Sequence, residues 1–190
     1  MKRVFIIHGW SGYPNEGWFP WLKRELEKRK FGVEVPAMPN PDCPKIDTWI
    51  PFLNKLVKEP DLDTYFVGHS IGCQTILRYL EKLEDGIKIG GCVLVAGWFG
   101  LNNLTEEEEI IAKPWLNTNL DFGKIRKTTK NFVAIFSDND PVVPLTDSKI
   151  LLEKNLCAKT VIEHNKGHFS GSDHIKRLPI VLNEILNMPK

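Results

Sequence analysis

The sequence has no excess of charge of either sign and no long run of apolar residues. Its 25 lysines and arginines nearly balance 24 aspartates and glutamates, for a formal net charge of +1. Nucleic-acid-binding proteins usually carry a clustered basic excess, so this balance argues against that class of partner. The apolar run at 4–7 is too short for a signal-peptide core, and no segment reaches the roughly 20 apolar residues of a membrane helix. We therefore expect a cytoplasmic protein with no membrane partner.

Cysteine is scarce, and its spacing argues against two kinds of framework. The four residues lie far apart and include no C-x-x-C pair: Cys43, Cys73, Cys92 and Cys157. This spacing predicts reduced, mostly buried side chains of an intracellular protein rather than a disulfide or zinc framework. A metal site could still be assembled from His8, His164, His168 and Asp140. No pair among them has the spacing typical of metal ligands, so we expect no metal.

What the sequence does contain is a regular alternation of two patterns. Its 190 residues, 42% of them hydrophobic, fit one domain over 1–190 with one sizeable core. Short apolar runs typical of strands occur at 3–9, 32–38 (an expected edge strand), 64–69, 89–97, 131–137 and 159–164. Helical periodicity occurs at 18–30, 47–59, 70–83, 146–156 and 174–187. This order predicts an α/β fold, a three-layer sandwich whose mostly parallel six-stranded sheet has helices on both faces.

One segment is longer than this alternation requires. Residues 98–123 separate the fourth and fifth predicted strands by more than the length of one helix. Thr105 and Glu108 have the spacing of a capping box. The four glutamates at 106–109 suit the exposed first turn of a helix, because carboxylates are favourable at a helix N-terminus. As a whole, the segment could form a small flap over the carboxyl edge of the sheet.

The stretch TYFVGHSIGCQ, residues 64–74, ends an apolar run abruptly at two glycines and a serine. Gly68, Ser70 and Gly72 form a G-x-S-x-G pattern between a predicted strand and a predicted helix, the context of a nucleophile elbow. Such a turn exposes the serine, and the free N–H groups at the helix start can stabilise a developing oxyanion. The pattern also occurs by chance, so this interpretation requires catalytic partners elsewhere in the chain. We expect Cys73 to pack in the helix core rather than act as the nucleophile.

Two later loops contain candidate partners. A serine hydroxyl needs a base to take its proton, and functional groups of an open parallel sheet gather beyond the carboxyl ends of its strands. The sequence SDNDPVVP follows the fifth predicted strand, and NKGHFS follows the sixth. Asp138 and Asp140 have the same alternation parity, so strand geometry does not separate them, and Asp138 could instead cap the turn. His164 ends the sixth predicted strand, whereas His168 lies in a glycine-containing loop from which its ring can reach the serine.

The remaining histidines have simpler interpretations. We expect His164 and His174 to be surface residues. His8 and His69 flank the predicted site, and we expect them to shape the loops around it.

Four motifs together resemble a known family. IIHGWSG, GHSIGC, SDNDPVVP and GHF occur in the order and spacing of the small α/β-hydrolase-fold serine hydrolases of the retinoblastoma-binding protein nine and YdeN-like group. The resemblance covers essentially the whole chain and implies a compact fold without a large cap. It implies Ser70 as nucleophile, Asp140 as acid and His168 as base, in an acyl transfer that needs no cofactor or metal. The backbone N–H groups of Ile71 and Trp10 would form the oxyanion hole, although there is no HGGG sequence to specify the second donor.

Aromatic residues beside the predicted site suggest the substrate. We expect a small, shallow acyl pocket, lined by Trp10, Trp98, Phe99 and Phe169. The simpler interpretation of these side chains is core packing. The expected substrates are small, uncharged carboxylic esters, with amides and thioesters as further candidates.

Two other classes of function stay open at this point. The fold could be retained as a non-catalytic or weakly catalytic protein-interaction module, because fold alone does not determine function. An intact set of serine, aspartate and histidine argues against that class. A hydrolase of phosphorylated or nucleotide ligands would call for a P-loop or a basic cluster, and the sequence has neither near these motifs. The sequence identifies no protein partner.

Overall fold

Six strands pair in one sheet within residues 1–189, the part of the chain that this computed structural model describes. They are β1 (Arg3–Ile7), β2 (Gly32–Glu34), β3 (Thr64–His69), β4 (Gly91–Val95), β5 (Phe132–Ser137) and β6 (Lys159–Glu163). Their order across the sheet is β2-β1-β3-β4-β5-β6, and every neighbouring pair is parallel. The predicted parallel six-stranded sheet is therefore confirmed, with β2 at an edge.

Seven helices in the described residues cover this sheet. They are α1 (Phe19–Glu27), α2 (Ile46–Val57), α3 (Ile71–Lys82), α4 (Glu106–Asn117), α5 (Phe122–Thr128), α6 (Leu145–Leu156) and α7 (Pro179–Asn187). Helix α1 packs against α7, whereas α2 contacts α3, α3 contacts α5, and α5 contacts α6. These two contact groups form the outer layers of the sandwich. The α/β three-layer prediction is confirmed.

The central strands and α3 form the middle of the core. Every residue of β3 and β4 is buried, which explains why both strands are apolar on both faces. All ten residues at 71–80 of α3 are buried as well, including the polar side chains of Gln74 and Arg78. Arg78 is tied to the end of α4, because its Nη2 donates to the carbonyl oxygens of Trp115 at 2.6 Å and Thr118 at 3.0 Å. Sequence periodicity did not predict this second covered face of α3.

Several predicted elements are shorter than expected, and proline accounts for two of them, the strand at 32–38 and the helix at 174–187. The edge strand predicted at 32–38 ends at Glu34, and Pro36, which has no N–H group, cannot continue the ladder. The last helix, predicted from 174, begins only at Pro179. Proline suits the first turn of a helix but disfavours a helical conformation in the residue before it, and Leu178 has φ −136° and ψ 77°.

The long segment at 98–123 contains α4 and the start of α5, a short helix that the sequence did not predict. Both bonds of the predicted capping box are present between Thr105 and Glu108, at 2.8 Å and 3.3 Å. The four glutamates do occupy the first turn of α4. Asp121 caps α5 by accepting a hydrogen bond from the Lys124 N–H at 3.0 Å. Movement of this segment as a flap stays a prediction.

No helix in residues 1–189 has the length and apolar character needed to cross a bilayer. The cytoplasmic location expected from the sequence stays a prediction.

Candidate active site

The turn between β3 and α3 holds Ser70 in an unusual backbone conformation. Its φ is 54° and its ψ is −121°, a region that a residue with a Cβ rarely adopts and that therefore stores strain. The backbone on either side is too crowded for a side chain. A Cβ at Gly68 would lie 2.7 Å from the Cys73 nitrogen, and one at Gly72 would overlap the Ile7 carbonyl oxygen. Both glycines of the motif are thus required by close backbone approach.

Beyond β5 and β6, the structure brings Asp140 and His168 together. Asp140 Oδ2 lies 2.8 Å from His168 Nδ1, and these side chains are 3% and 17% exposed. Asp140 Oδ1 accepts the N–H groups of Val142 at 2.8 Å and Val143 at 3.0 Å. Burial acts to raise the pKa of Asp140, but the hydrogen bond and charge of His168 and the two N–H donors outweigh it. The pKa of Asp140 is therefore below its ordinary value, and the group is a carboxylate at neutral pH.

Asp138, the alternative acid, has a different partner. Its Oδ2 lies 2.6 Å from His164 Nδ1, and its Oδ1 accepts the Asn165 N–H at 2.9 Å. The His164 side chain is 79% exposed, so this pair lies at the surface, as expected for His164. Strand parity did not separate the two aspartates, although the family resemblance implied Asp140; the structure gives each aspartate a separate histidine.

Side chains at the end of β5 also hold the backbone of the loop that carries His168. Ser137 Oγ accepts the Lys166 N–H at 3.0 Å, and Asn139 Oδ1 accepts the Gly167 N–H at 2.8 Å. Ser137 Oγ in turn donates to Asn139 Oδ1 at 2.8 Å. The four residues of the run S-D-N-D, 137–140, therefore all form hydrogen bonds to residues 164–168 of the β6–α7 loop. The density of polar residues at a strand end was the available signal, but their partners could not be predicted.

A further carboxylate inside the β6–α7 loop had no sequence-based assignment. Asp173 Oδ2 accepts the N–H groups of His168 at 3.0 Å and Ser170 at 2.9 Å. A Cβ at Gly167, which has φ +55°, would overlap Asp173. The backbone of His168 is thus held from within its own loop as well as from β5.

His8 shapes the loop after β1. Its Nε2 accepts the Met38 N–H at 3.0 Å, which leaves the proton on Nδ1 to donate to the Gly9 carbonyl oxygen at 2.8 Å. The side chain is fully buried, and burial lowers its pKa, so the ring is neutral. The loop that His8 supports leads directly to Trp10.

His69 lies against the base candidate. Its Nε2–H donates to the main-chain carbonyl oxygen of His168 at 2.7 Å, and the two ring centroids are 5.0 Å apart. Burial, together with the charge of His168, lowers the pKa of His69 to about 3. His69 is therefore neutral throughout the physiological pH range.

Ser70 and His168 line the same cavity, of about 310 Å³. No hydrogen bond joins the Ser70 hydroxyl to His168 in the described chain; such bonds are often long before substrate binds. Trp10 and Trp98 also line the cavity, together with Glu16, which the sequence analysis did not single out. Glu108 lies at the same cavity, so two carboxylates and no lysine or arginine face the described site.

Two predicted lining residues lie elsewhere. Phe99 is not part of the cavity wall, because its ring packs 5.7 Å from that of Phe122. Phe169 is 1% exposed and belongs to the hydrophobic core. Its carbonyl oxygen accepts a hydrogen bond from Trp18 Nε1 at 3.0 Å. The simpler interpretation, core packing, describes both phenylalanines.

Two predicted oxyanion donors are free to act. Neither the Ile71 N–H nor the Trp10 N–H has an acceptor within residues 1–189. Ile71 is the first residue of α3, where backbone donors have no intrahelical partner. Both groups therefore retain the capacity to bind an oxygen atom.

A larger cavity, of about 510 Å³, lies between α4 and the β2–α2 loop. Ile46, Ile110 and Trp115 contribute to its wall, and none of the predicted site residues does. Ser70 and His168 line the smaller cavity instead. Among residues 1–189, no group of three or more His, Cys, Asp or Glu side chains is arranged to hold a metal ion.

Comparison with known proteins gives matches over nearly the whole chain. The model of a family described as serine hydrolase matches residues 4–186. YdeN of Bacillus subtilis (strain 168), named as a hydrolase, is 34% identical over 181 residues, which cover 95% of this chain and 92% of YdeN. The crystal structure of the B. subtilis ydeN gene product superposes with a TM-score of 0.90 at 31% identity, covering 99% of this chain and 98% of that one.

More distant structures share the fold. A structure from a study of carboxylesterases of Nitrososphaera gargenis has a TM-score of 0.70 at 13% identity, covering 97% of this chain and 89% of its own. Est1E of Butyrivibrio proteoclasticus, solved with ferulic acid bound, has a TM-score of 0.68 at 13% identity, with coverage of 97% and 86%. At this identity, the likeness concerns the fold alone.

Proposed function

The chain belongs to the serine hydrolase family, and on that premise we propose that it cleaves small, uncharged carboxylic esters with Ser70, His168 and Asp140. The observation that carries this proposal is the pair of Asp140 and His168, joined at 2.8 Å, of which His168 lines the cavity that contains Ser70. Ser70 is the nucleophile, His168 the general base and Asp140 the orienting acid.

The reaction proceeds in two steps. His168 Nε2 removes the hydroxyl proton as Ser70 Oγ attacks the ester carbonyl carbon, and the same ring then protonates the departing alcohol. Water next enters, gives a proton to His168, attacks the acyl-enzyme and releases the carboxylic acid, while Ser70 recovers its proton. Each step balances with ester and water alone.

Asp140 selects the useful tautomer of His168. As a carboxylate, it can only accept a hydrogen bond, so it holds the ring proton on Nδ1 and leaves the Nε2 lone pair free for the Ser70 proton. Its negative charge also stabilises the imidazolium that forms when Ser70 attacks. Because the pKa of Asp140 is below its ordinary value, this charge persists at neutral pH.

The free N–H groups of Ile71 and Trp10 are the proposed oxyanion donors. Both lie on backbone segments that are held before substrate binds, Ile71 by α3 and Trp10 by the loop that His8 supports. Donors that need no rearrangement can lower the barrier to a tetrahedral intermediate by about 3 kcal/mol each.

The cavity supports the choice of substrate. A volume of about 310 Å³ suits a short acyl chain, and the walls formed by Trp10 and Trp98 suit an apolar one. Glu16 and Glu108 repel anionic acyl groups, and no cation in the described wall offsets them. Fold neighbours that include carboxylesterases agree with ester chemistry. Amides have a poorer leaving group, so we expect slower cleavage of simple amides than of esters.

A fluorophosphonate probe tests this proposal. Intact-mass analysis should show one covalent addition to the wild type, mapped to Ser70 by peptide sequencing, and none to Ser70→Ala. Unchanged labelling of Ser70→Ala would mean that another residue is the nucleophile. If folded wild-type protein takes up no probe, the non-catalytic module becomes the better description.

A further inference from the structure

The residue immediately before Ser70 makes a long-range contact with the proposed base. His69 ends β3, and its Nε2–H donates to the His168 carbonyl oxygen at 2.7 Å, across 99 positions of the sequence. The two rings are also neighbours, with a centroid distance of 5.0 Å and an interplanar angle of 50°. His69 thus links the turn that carries Ser70 to the loop that carries His168.

Other anchors of His168 connect it to different parts of the molecule. Asp140 orients the ring from the turn after β5, and Asp173 binds the His168 N–H from within the β6–α7 loop. Neither contact relates His168 to the Ser70 turn. Since no hydrogen bond joins Ser70 to His168 in the described chain, the His69 bond is the polar link that relates the proposed nucleophile to the base.

The surroundings of His69 leave its ring one orientation and one useful donor. Trp18 and Phe19 meet the ring edge-on, at centroid distances of 6.3 Å and 6.1 Å. Its Nδ1 is buried with no partner, and a Cβ at Gly9 would lie only 2.9 Å from it. A buried, neutral ring with one hydrogen-bonded nitrogen provides a fixed structural contact and does not carry protons.

We propose that His69 is a positioning residue that sets the distance between Ser70 Oγ and the ring of His168 through its bond to the His168 carbonyl. This role depends on the proposed function for its effect on catalysis. The role acts through His168: although His69 lines the cavity, its Nε2–H binds the His168 carbonyl oxygen rather than substrate. Without the bond, the remaining anchors of His168, Asp140 and Asp173, do not fix its position relative to Ser70.

The expected consequence is a loss of turnover without a loss of substrate affinity. Proton transfer is sensitive to placement, and a displacement of about 1 Å can slow it about 100-fold. His69 also lines the cavity, but it is only 4% exposed and its Nε2–H is occupied by the His168 carbonyl oxygen, so the bond itself offers nothing to substrate. We therefore expect kcat to fall about 10- to 100-fold with KM within about twofold of the wild type.

Three substitutions separate positioning from packing. His69→Gln places an amide N–H near the position of Nε2 and should keep kcat within about threefold. His69→Asn, whose amide falls short of the His168 carbonyl, and His69→Phe, which fills the space without a donor, should both show the large loss. His164→Asn, at the exposed histidine, is the matched control and should retain wild-type kcat.

Turnover is measured per active site, counted by titration with the fluorophosphonate, so that an unfolded fraction lowers the count and leaves kcat per site unchanged. If His69→Phe does not fold, His69→Asn carries the comparison. Wild-type kcat per site in His69→Asn or His69→Phe would overturn the positioning role. An equal loss in His69→Gln would do so too, because the donor would then be irrelevant.

A second measurement does not require hydrolysis. In protein labelled with ¹⁵N-histidine, the ring resonances of His168 should broaden in His69→Asn, since the ring would exchange between positions, and stay sharp in His69→Gln. Sharp resonances in both variants would overturn the proposal, whatever the activity. The two proposals can fail separately. If the wild type takes up no probe but the His168 resonances still broaden in His69→Asn, the proposed function is rejected and the positioning role is kept.

Discussion

Replacement of Asp140 by asparagine should nearly abolish turnover while leaving the fold intact. Asparagine has almost the same shape, so its Oδ1 can keep the hydrogen bonds from the Val142 and Val143 N–H groups. Its amide, however, places a donor 2.8 Å from His168 Nδ1, where the carboxylate placed an acceptor. The ring must then accept at Nδ1 and carry its proton on Nε2. In that tautomer, His168 cannot take the proton of Ser70.

The magnitude follows from this change of tautomer. A wrong tautomer costs on the order of 10⁴ in kcat in a triad of this kind. At 1.36 kcal/mol for each factor of ten, the barrier rises by about 5.4 kcal/mol. Burial strengthens the argument, because the Asp140 side chain is 3% exposed and water cannot easily replace it beside the ring.

The assay is hydrolysis of p-nitrophenyl acetate, with kcat expressed per fluorophosphonate-titrated site and folding checked by thermal denaturation. Asp138→Asn is the matched control: its partner His164 is 79% exposed, and we expect less than a tenfold change (about 1.4 kcal/mol). If Asp138→Asn proves the more damaging substitution, the assignment of the acid to Asp140 is wrong. If Asp140→Asn retains more than about a tenth of wild-type kcat, the tautomer argument is wrong.

Two further predictions concern the substrate and stability. Across p-nitrophenyl esters from acetate to palmitate, kcat/KM should peak at short acyl chains, because the cavity is only about 310 Å³; a steady rise beyond eight carbons would show a deeper lipid site. The free energy of unfolding, measured by urea titration, should fall as the pH drops below about 6.5. In the unfolded chain the imidazole of His69 takes up a proton in this range, whereas the buried ring of the folded protein, with a pKa of about 3, stays neutral. By pH 4.5 this contribution reaches about 3 kcal/mol, and His69→Gln should lack it; equal pH slopes in the two proteins would contradict the burial argument.

The sequence by itself was sufficient for features that depend on neighbours along the chain. Strand β3 was predicted with its observed bounds, because an apolar run ends at a glycine and a helical period begins directly after it. The capping box of α4 was predicted because it requires only Thr105 and Glu108, three residues apart. Parallel pairing followed from the alternation of strands and helices, since parallel strands need a crossover between them. Where a proline interrupts the local pattern, as at Pro36 and Pro179, the boundaries were misjudged.

Only the tertiary structure decided which side chains meet. Asp138 and Asp140 both follow β5 with the same parity, and the turn between them directs one to His164 and the other to His168. Phe169 follows His168 directly, yet it packs in the core. These outcomes depend on how separate loops pack against each other, and residue spacing contains little information about such packing. The bond from His69 to the His168 carbonyl joins residues 99 positions apart and exists only because the sheet places the ends of β3 and β6 at one edge.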